Sequence, residues 1–173
     1  SALPGSALRE ARDRVVAAVR NSGFKFPARR VTVNLAPAQT RKEGTHYDLP
    51  IALAALSASG HLPGGSWEAS HCFVGELALD GTLRPVPGVL AMALEARARG
   101  FETMVVPSAN EAEALASGIK VRSAASLREA ARFLGAQDLE MGSESGDDGP
   151  GPGKAPGSEA MLFERNGTRT ESR

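Results

Sequence analysis

The spacing of apolar residues predicts a helix at the start of the chain, followed by a strand. In the helix, apolar positions recur at intervals of three and four residues, at Leu8, Ala11, Val15, Ala18 and Val19. Ser6 is placed to cap this helix, and Asn21-Ser22-Gly23 ends it. Over residues 30–35 apolar and polar positions alternate, which is the period of a half-buried strand, and Pro37 ends it.

A second helix is predicted at the centre of the fold. Residues 49–59, LPIALAALSAS, are apolar on nearly every side of a helix, which is typical of a fully packed segment. Asp48 is placed to cap this helix, Pro50 is tolerated in its first turn, and Gly60 ends it.

The second half of the chain predicts a hairpin and then alternating helices and strands. Strands over 71–79 and 82–86 flank Asp80-Gly81, a dipeptide suited to a tight turn. Helices are then expected over 89–99, closed by Gly100, over 110–117, and after a capping Ser126; strands are expected over 103–107 and 119–123. This alternation predicts an α/β domain in which helices pack on a mixed sheet.

Composition changes sharply after residue 136. Residues 137–173 are crowded with Gly, Pro, Ser and charge, and their one short apolar cluster is Met161, Leu162 and Phe163. Such a segment buries too little apolar surface to offset its ordering entropy. We therefore expect one folded domain over 1–136 and a disordered tail over 137–173.

Charge and hydropathy narrow the class of protein. Twenty basic and twenty acidic residues give a formal net charge of zero, so any contact with nucleic acid has to be a local patch. The sequence has neither a membrane-spanning apolar run nor a signal peptide, so a cytoplasmic protein without membrane contact is expected. The single cysteine, Cys72, excludes an internal disulfide and a thiolate-rich zinc site.

Few residues carry recognisable chemistry. His46, His61 and His71, with Asp48 and Cys72, have no spacing typical of metal ligands, so no metal site is expected. The stretch GPGPGKAPG at 149–157 lacks the first glycine and the hydroxyl residue of a phosphate-binding loop, so no nucleotide cofactor is expected in this chain.

The polar loop before the central helix is the most distinctive segment. It lies against a helix N-terminus, which can bind an anion or position a nucleophile, or it is a solvated connection ending in a capping Asp48. Arg29 and Arg30 open the predicted strand, and Arg41 and Lys42 lie in the loop. These four cations are candidate contacts for DNA or a partner; the alternative is an ordinary solvated surface.

Three long motifs occur in order and carry a family resemblance. They are residues 3–60, which include RKEGTHYDLPIALAALSASG, residues 73–100, FVGELALDGTLRPVPGVLAMALEARARG, and residues 105–115, VVPSANEAEAL. Together they resemble the N-terminal domain of the magnesium-chelatase-like ComM/YifB family of bacterial AAA+ proteins. The resemblance implies a ribosomal-protein-S5 domain-2-like fold, similar to the proteolytic domain of Lon, with the N-terminal edge of its sheet truncated.

The resemblance also implies a function. It suggests a non-catalytic scaffold domain, contacting DNA or a partner, in proteins linked to natural transformation and DNA branch migration. Its expected partners are an AAA+ module or other family subunits in a homo-oligomeric ring. ATP and magnesium are implied only for the AAA+ module, whose Walker motifs this chain lacks. The alternatives are a fragment of an active AAA+ ATPase whose motor lies outside this chain, or a Lon-type serine peptidase.

The peptidase alternative is compared with Lon by residue position. Lon proteases use a serine together with a lysine that serves as its base. In this sequence Thr45 and His46 stand where Lon has proline and serine, and Leu90 stands where it has the lysine. Leu90 accepts no proton, so peptidase activity is not expected.

Overall fold

The computed structural model describes residues 5–26, 44–65 and 67–137, which form six helices and five strands. The helices are α1 (Gly5–Asn21), α2 (Asp48–Ala58), α3 (Trp67–Ser70), α4 (Val89–Ala98), α5 (Glu111–Leu115) and α6 (Leu127–Phe133). The strands are β1 (His71–Phe73), β2 (Glu76–Leu77), β3 (Leu83–Arg84), β4 (Thr103–Pro107) and β5 (Lys120–Ala124). The strand predicted over 30–35 and the tail predicted from 137 lie outside these residues, apart from Gln137.

A parallel sheet forms the middle layer of the described domain. Its strand order is β1-β4-β5, with Phe73 opposite Val105 and Val105 opposite Arg122. A separate antiparallel pair, β2-β3, places Glu76 opposite Arg84. The predicted α/β class, with helices packed on a sheet, is confirmed.

Helices cover both faces of the parallel sheet because side chains alternate along each strand. On one face, Phe73, Val105 and Ala124 belong to a core that also contains residues of α1, α2 and α6. On the other face, Met104 and Val106 belong to a second core, with residues of α4 and α5. All five residues of β4 are buried between the two helical layers.

The predicted central position of α2 is confirmed. Eight of its eleven residues are buried, and its leucines pack in the same core as α1 and α6. The helix ends at Ala58, and Gly60 follows with a φ of 77°, a conformation that favours glycine.

The hairpin at Asp80-Gly81 is confirmed, but the prediction of one strand over 71–79 is wrong. The segment divides at Gly75, so that β1 joins the parallel sheet and β2 joins the hairpin. Gly75 bonds to the start of α2 instead: its N–H donates to the His46 carbonyl over 3.0 Å, and its own carbonyl accepts from the Leu49 N–H over 3.0 Å. A side chain there would also meet Leu83, since a Cβ on Gly75 would lie 2.9 Å from the Leu83 Cδ2.

Of the serine caps predicted at the ends of the fold, one is correct and one is wrong. Ser126 caps α6 as expected, because its Oγ accepts the Glu129 N–H over 3.1 Å. Ser6 does not precede α1, because that helix begins at Gly5 and contains Ser6. None of the helices described is long and apolar enough to cross a membrane.

Candidate functional site

The start of α2 is built around a buried ion pair between Arg14 of α1 and Asp48. The Arg14 Nε lies 2.9 Å from the Asp48 Oδ2, and its Nη2 lies 3.1 Å from Oδ1. The Leu77 N–H donates to the same Oδ2 over 3.2 Å. The predicted capping role of Asp48 is therefore wrong: Tyr47 precedes the helix, no side chain caps it, and the Asp48 carboxylate bonds to α1 and β2.

The electrostatics of this pair reflect its burial. Burial raises the pKa of Asp48, while the Arg14 guanidinium and the Leu77 N–H act in the opposite direction. The hydrogen bond that Arg14 donates to the Asp48 carboxylate raises the pKa of Arg14. Only 1% of the Asp48 side chain is exposed, so its carboxylate offers no surface to a substrate. The pair connects α1, α2 and β2; it does not form an accessible acid or base.

The residues just before α2 are also bonded within the domain. The Thr45 hydroxyl donates to the Glu76 carboxylate on β2. The His46 ring lies 4.1 Å from the Tyr47 ring, measured between centroids. Burial lowers the pKa of His46, although the Asp48 carboxylate acts in the opposite direction, so the imidazole favours its neutral form.

The other residues considered as metal ligands or nucleophiles, His61, His71 and Cys72, make contacts within the fold. His61 contacts the Lys25 carbonyl over 3.1 Å, and His71 Nδ1 contacts the Ser70 hydroxyl over 2.8 Å. Burial raises the pKa of the Cys72 thiol to about 12, so the reactive thiolate is suppressed. Among the described residues, no three histidine, cysteine or acidic side chains are grouped to hold a metal ion.

The four candidate contacts for DNA or a partner, Arg29, Arg30, Arg41 and Lys42, lie outside the described residues. The structure therefore does not bear on that prediction.

Comparison with known proteins identifies the family of the chain. Residues 1–110 match the family model described as subunit ChlI of Mg-chelatase. The chain belongs to this family. Within it, the relatives identify the ComM/YifB group of magnesium-chelatase-like proteins, as the sequence motifs predicted.

Several ComM/YifB relatives are similar over most of this chain. The uncharacterized protein YifB of Salmonella typhimurium is 51% identical over 111 residues, which are 64% of this chain and 22% of the relative. YifB of Escherichia coli is 46% identical over 116 residues, 67% of this chain and 23% of the relative. The competence protein ComM of Haemophilus influenzae is 44% identical over 141 residues, which are 79% of this chain and 26% of the relative. The chain thus spans about a quarter of these relatives' length.

The positions that correspond to the Lon serine and lysine carry other chemistry in this ComM/YifB chain. His46, at the serine position, packs its ring against Tyr47, and Thr45, one position earlier, is bonded to Glu76. Leu90 lies in the first turn of α4 with 38% of its surface exposed, and its backbone N–H donates to the Glu113 carboxylate over 3.0 Å. An aliphatic side chain accepts no proton, so the base of a Lon-type pair has no counterpart at Leu90.

Sequence reasoning missed Arg14 and Glu76, the two partners that organise this site. A signal for Arg14 was present, because it lies three residues after Ala11 and four before Ala18, on the apolar stripe of α1. A charge on a buried stripe indicates a buried partner. Nothing in the local pattern distinguished Glu76, whose contact with Thr45 spans 31 positions.

Proposed function

We propose that this chain is the non-catalytic scaffold domain of a ComM/YifB-type AAA+ protein linked to natural transformation and DNA branch migration. The observation that carries the proposal is the start of α2, where Asp48 and Thr45 are bonded to Arg14 and Glu76 of the same domain. These bonds use polar groups to join elements of the fold. In this proposal, Thr45 and Asp48 stabilise the fold and do not act as a Lon-type nucleophile or base.

A scaffold role also agrees with the two-sided packing of the sheet. Helices of this domain pack on both faces of the sheet in the part of the chain that the structure describes. In this proposal the domain positions an AAA+ module or neighbouring family subunits in a homo-oligomeric ring. The name of one relative, competence protein ComM, supports the link to natural transformation. ATP and magnesium belong to the AAA+ module and not to this chain.

The proposed DNA contact rests on Arg29, Arg30, Arg41 and Lys42. Its support is the sequence: two pairs of cations flank a single predicted strand and loop. In a ring, several copies of a small basic patch face one channel, and their phosphate contacts add. Contacts of this kind are steeply dependent on salt and largely independent of base sequence.

The test is DNA binding by the full chain fused to a hexameric carrier. Single-stranded and duplex DNA are titrated at two salt concentrations, with Arg41→Ala/Lys42→Ala as the variant. The matched control is Arg9→Ala/Arg12→Ala, which removes two exposed cations from α1. We expect the loop variant to bind more weakly and with a flatter salt slope, and the control to bind like the parent. Absence of binding by the parent, or equal binding by both variants, contradicts DNA contact at the loop.

The second candidate is a fragment of an active AAA+ ATPase. It is favoured by one observation, that each of the relatives above is about four times as long as the region it shares with this chain. Both candidates expect no saturable Mg-ATP binding by this chain, and calorimetric titration measures it. A stoichiometric micromolar site would overturn the scaffold proposal. Coding sequence for a strand followed by GxxxxGK[ST] beyond Leu139 would favour the fragment.

A further inference from the structure

A basic group on the parallel sheet consists of His71, Lys120 and Arg122. It takes no part in the site or the function proposed above. The three residues lie on the same face: the register pairs His71 with Thr103 and Thr103 with Lys120, and Arg122 follows two residues along β5. Lys120 and Arg122 are exposed. We call this group the basic corner.

The cations of the basic corner are not neutralised within the described part of the chain. Neither Lys120 nor Arg122 forms an ion pair there, and the Arg122 guanidinium lies 5.2 Å from the centre of the Phe133 ring. Burial lowers the pKa of His71, and the two cations lower it further, while the Glu102 carboxylate acts in the opposite direction. The basic corner therefore carries a local positive potential although the whole chain has no net charge.

The chain leaves α6 close to this corner. A Cβ on Gly135 would lie 2.9 Å from the Pro63 ring, so the two residues are in close contact. The Pro63 carbonyl accepts the Trp67 Nε1–H over 3.1 Å, and the Trp67 ring packs edge-on against Phe73, 5.8 Å between centroids. Phe73 in turn stacks on His71 at 6.2 Å. Residues that follow Gly135 thus begin beside the same end of the sheet.

The segment that follows is strongly acidic. Residues 138–148, DLEMGSESGDD, contain five carboxylates and no lysine or arginine. We propose that this acidic segment docks on the basic corner of its own chain, where its carboxylates contact Lys120 and Arg122. The contact is electrostatic and is independent of the DNA contact proposed for the loop.

Tether length and charge make this segment the favoured occupant. Asp138 follows Phe133 by five residues, and an extended chain covers up to about 3.5 Å per residue. This reach exceeds the roughly 5 Å spacing between neighbouring strands, so the first carboxylates can reach the cations of β5. A short tether raises the effective concentration of its end to about the millimolar range. Lysine and arginine on an edge strand discourage strand pairing, which favours a charge contact over an added strand.

The test is paramagnetic relaxation in the full chain, with a nitroxide attached to Ser143→Cys. Cys72 is 3% exposed and its thiol is held protonated, so the label goes to the new cysteine. In 0.1 M salt we expect the amide signals of Lys120 and Arg122 to lose roughly half their intensity, as a weak, tethered ion contact requires. In 1 M salt, where the screening length falls from about 10 Å to about 3 Å, the loss should shrink to that of the tether alone.

The matched control keeps the tether and removes the charge. Its five acidic residues are changed to their amides, D138N/E140Q/E144Q/D147N/D148N, and the label position is the same. We expect this chain, and separately Lys120→Ala/Arg122→Ala, to recover part of the lost β5 signal, the remaining broadening being that of the tether alone. Equal broadening in the acidic and neutralised chains would mean that the tether alone brings the label there, and would overturn the proposal. Broadening that is undiminished in 1 M salt would also overturn it.

Discussion

Replacing Arg14 by methionine tests whether the buried ion pair holds the start of α2. Methionine keeps the aliphatic length of the arginine stem, so most of the packing is retained while the charge is lost. Among the described residues, the Asp48 carboxylate, 1% exposed, would then keep the Leu77 N–H as its one partner. Removing one partner of a buried ion pair lowers the free energy of unfolding by at least about 3 kcal/mol. Because 23% of the Arg14 side chain is exposed, we expect a loss of about 3 kcal/mol and not more.

The assay is urea unfolding followed by the fluorescence of Trp67, the single tryptophan, which is buried. For a domain of this size, a loss of about 3 kcal/mol lowers the Tm by roughly 10 °C. Arg12→Met, an exposed change on the same helix, is the control and should stay within about 0.5 kcal/mol of the parent.

A double-mutant cycle separates the pair from general effects of the substitutions. Asp48→Asn alone should cost about 2 kcal/mol, because the amide group faces guanidinium donors. The double variant Arg14→Met/Asp48→Asn should cost about 2 kcal/mol less than the sum of the two single changes. If the two effects add to within about 0.5 kcal/mol, the residues are not coupled and the reasoning is refuted.

Three further predictions concern a turn, pH and the tail. Gly81→Ala should destabilise by about 2 kcal/mol or more, because φ is 89° and the new Cβ would collide with the Ser22 hydroxyl, just past α1. Gly88→Ala, with φ 77° and no neighbour within 4 Å, should cost only about 1 kcal/mol; similar losses in urea unfolding would contradict this. The pKa values of His46 and His71 are lowered in the folded state, so the free energy of unfolding should fall as the pH drops below about 6.5. The variant His46→Gln/His71→Gln should flatten the dependence of the urea midpoint on pH. Removal of residues 141–173 should shift the calorimetric Tm by less than about 5 °C, whereas a larger drop would mean that apolar tail residues pack on the domain.

Local pattern was enough to predict most elements of the described fold. Three predicted features depend on neighbours within a few positions, and each is confirmed. They are the helix α2, apolar on nearly every side, the buried run of β4 and the Ser126 cap. The division of the 71–79 segment was not predictable in this way. It depends on bonds from Gly75 to His46 and Leu49, which lie more than 25 positions earlier in the chain.

The candidate site was harder to predict because its bonds join distant parts of the chain. Asp48 has the residue type and position of a cap, and only the approach of α1, 34 positions away, turns its carboxylate toward Arg14. The family resemblance identified Thr45 and Leu90 as positions to compare with Lon, but it did not predict the contact between Thr45 and Glu76.

The hydrogen bonds of the segment from Val74 to Leu77 determine how the domain opens. The Val74 N–H bonds to β4, Gly75 bonds on both sides to the start of α2, and the Leu77 N–H bonds to the Asp48 carboxylate. The hairpin therefore cannot separate from the sheet without also freeing α2. Segments linked in this way exchange their amide hydrogens as one cooperative unit. The amides of Val74, Gly75 and Leu77 should accordingly exchange at a common slow rate, set by opening of the whole domain and not by fraying of a two-residue ladder.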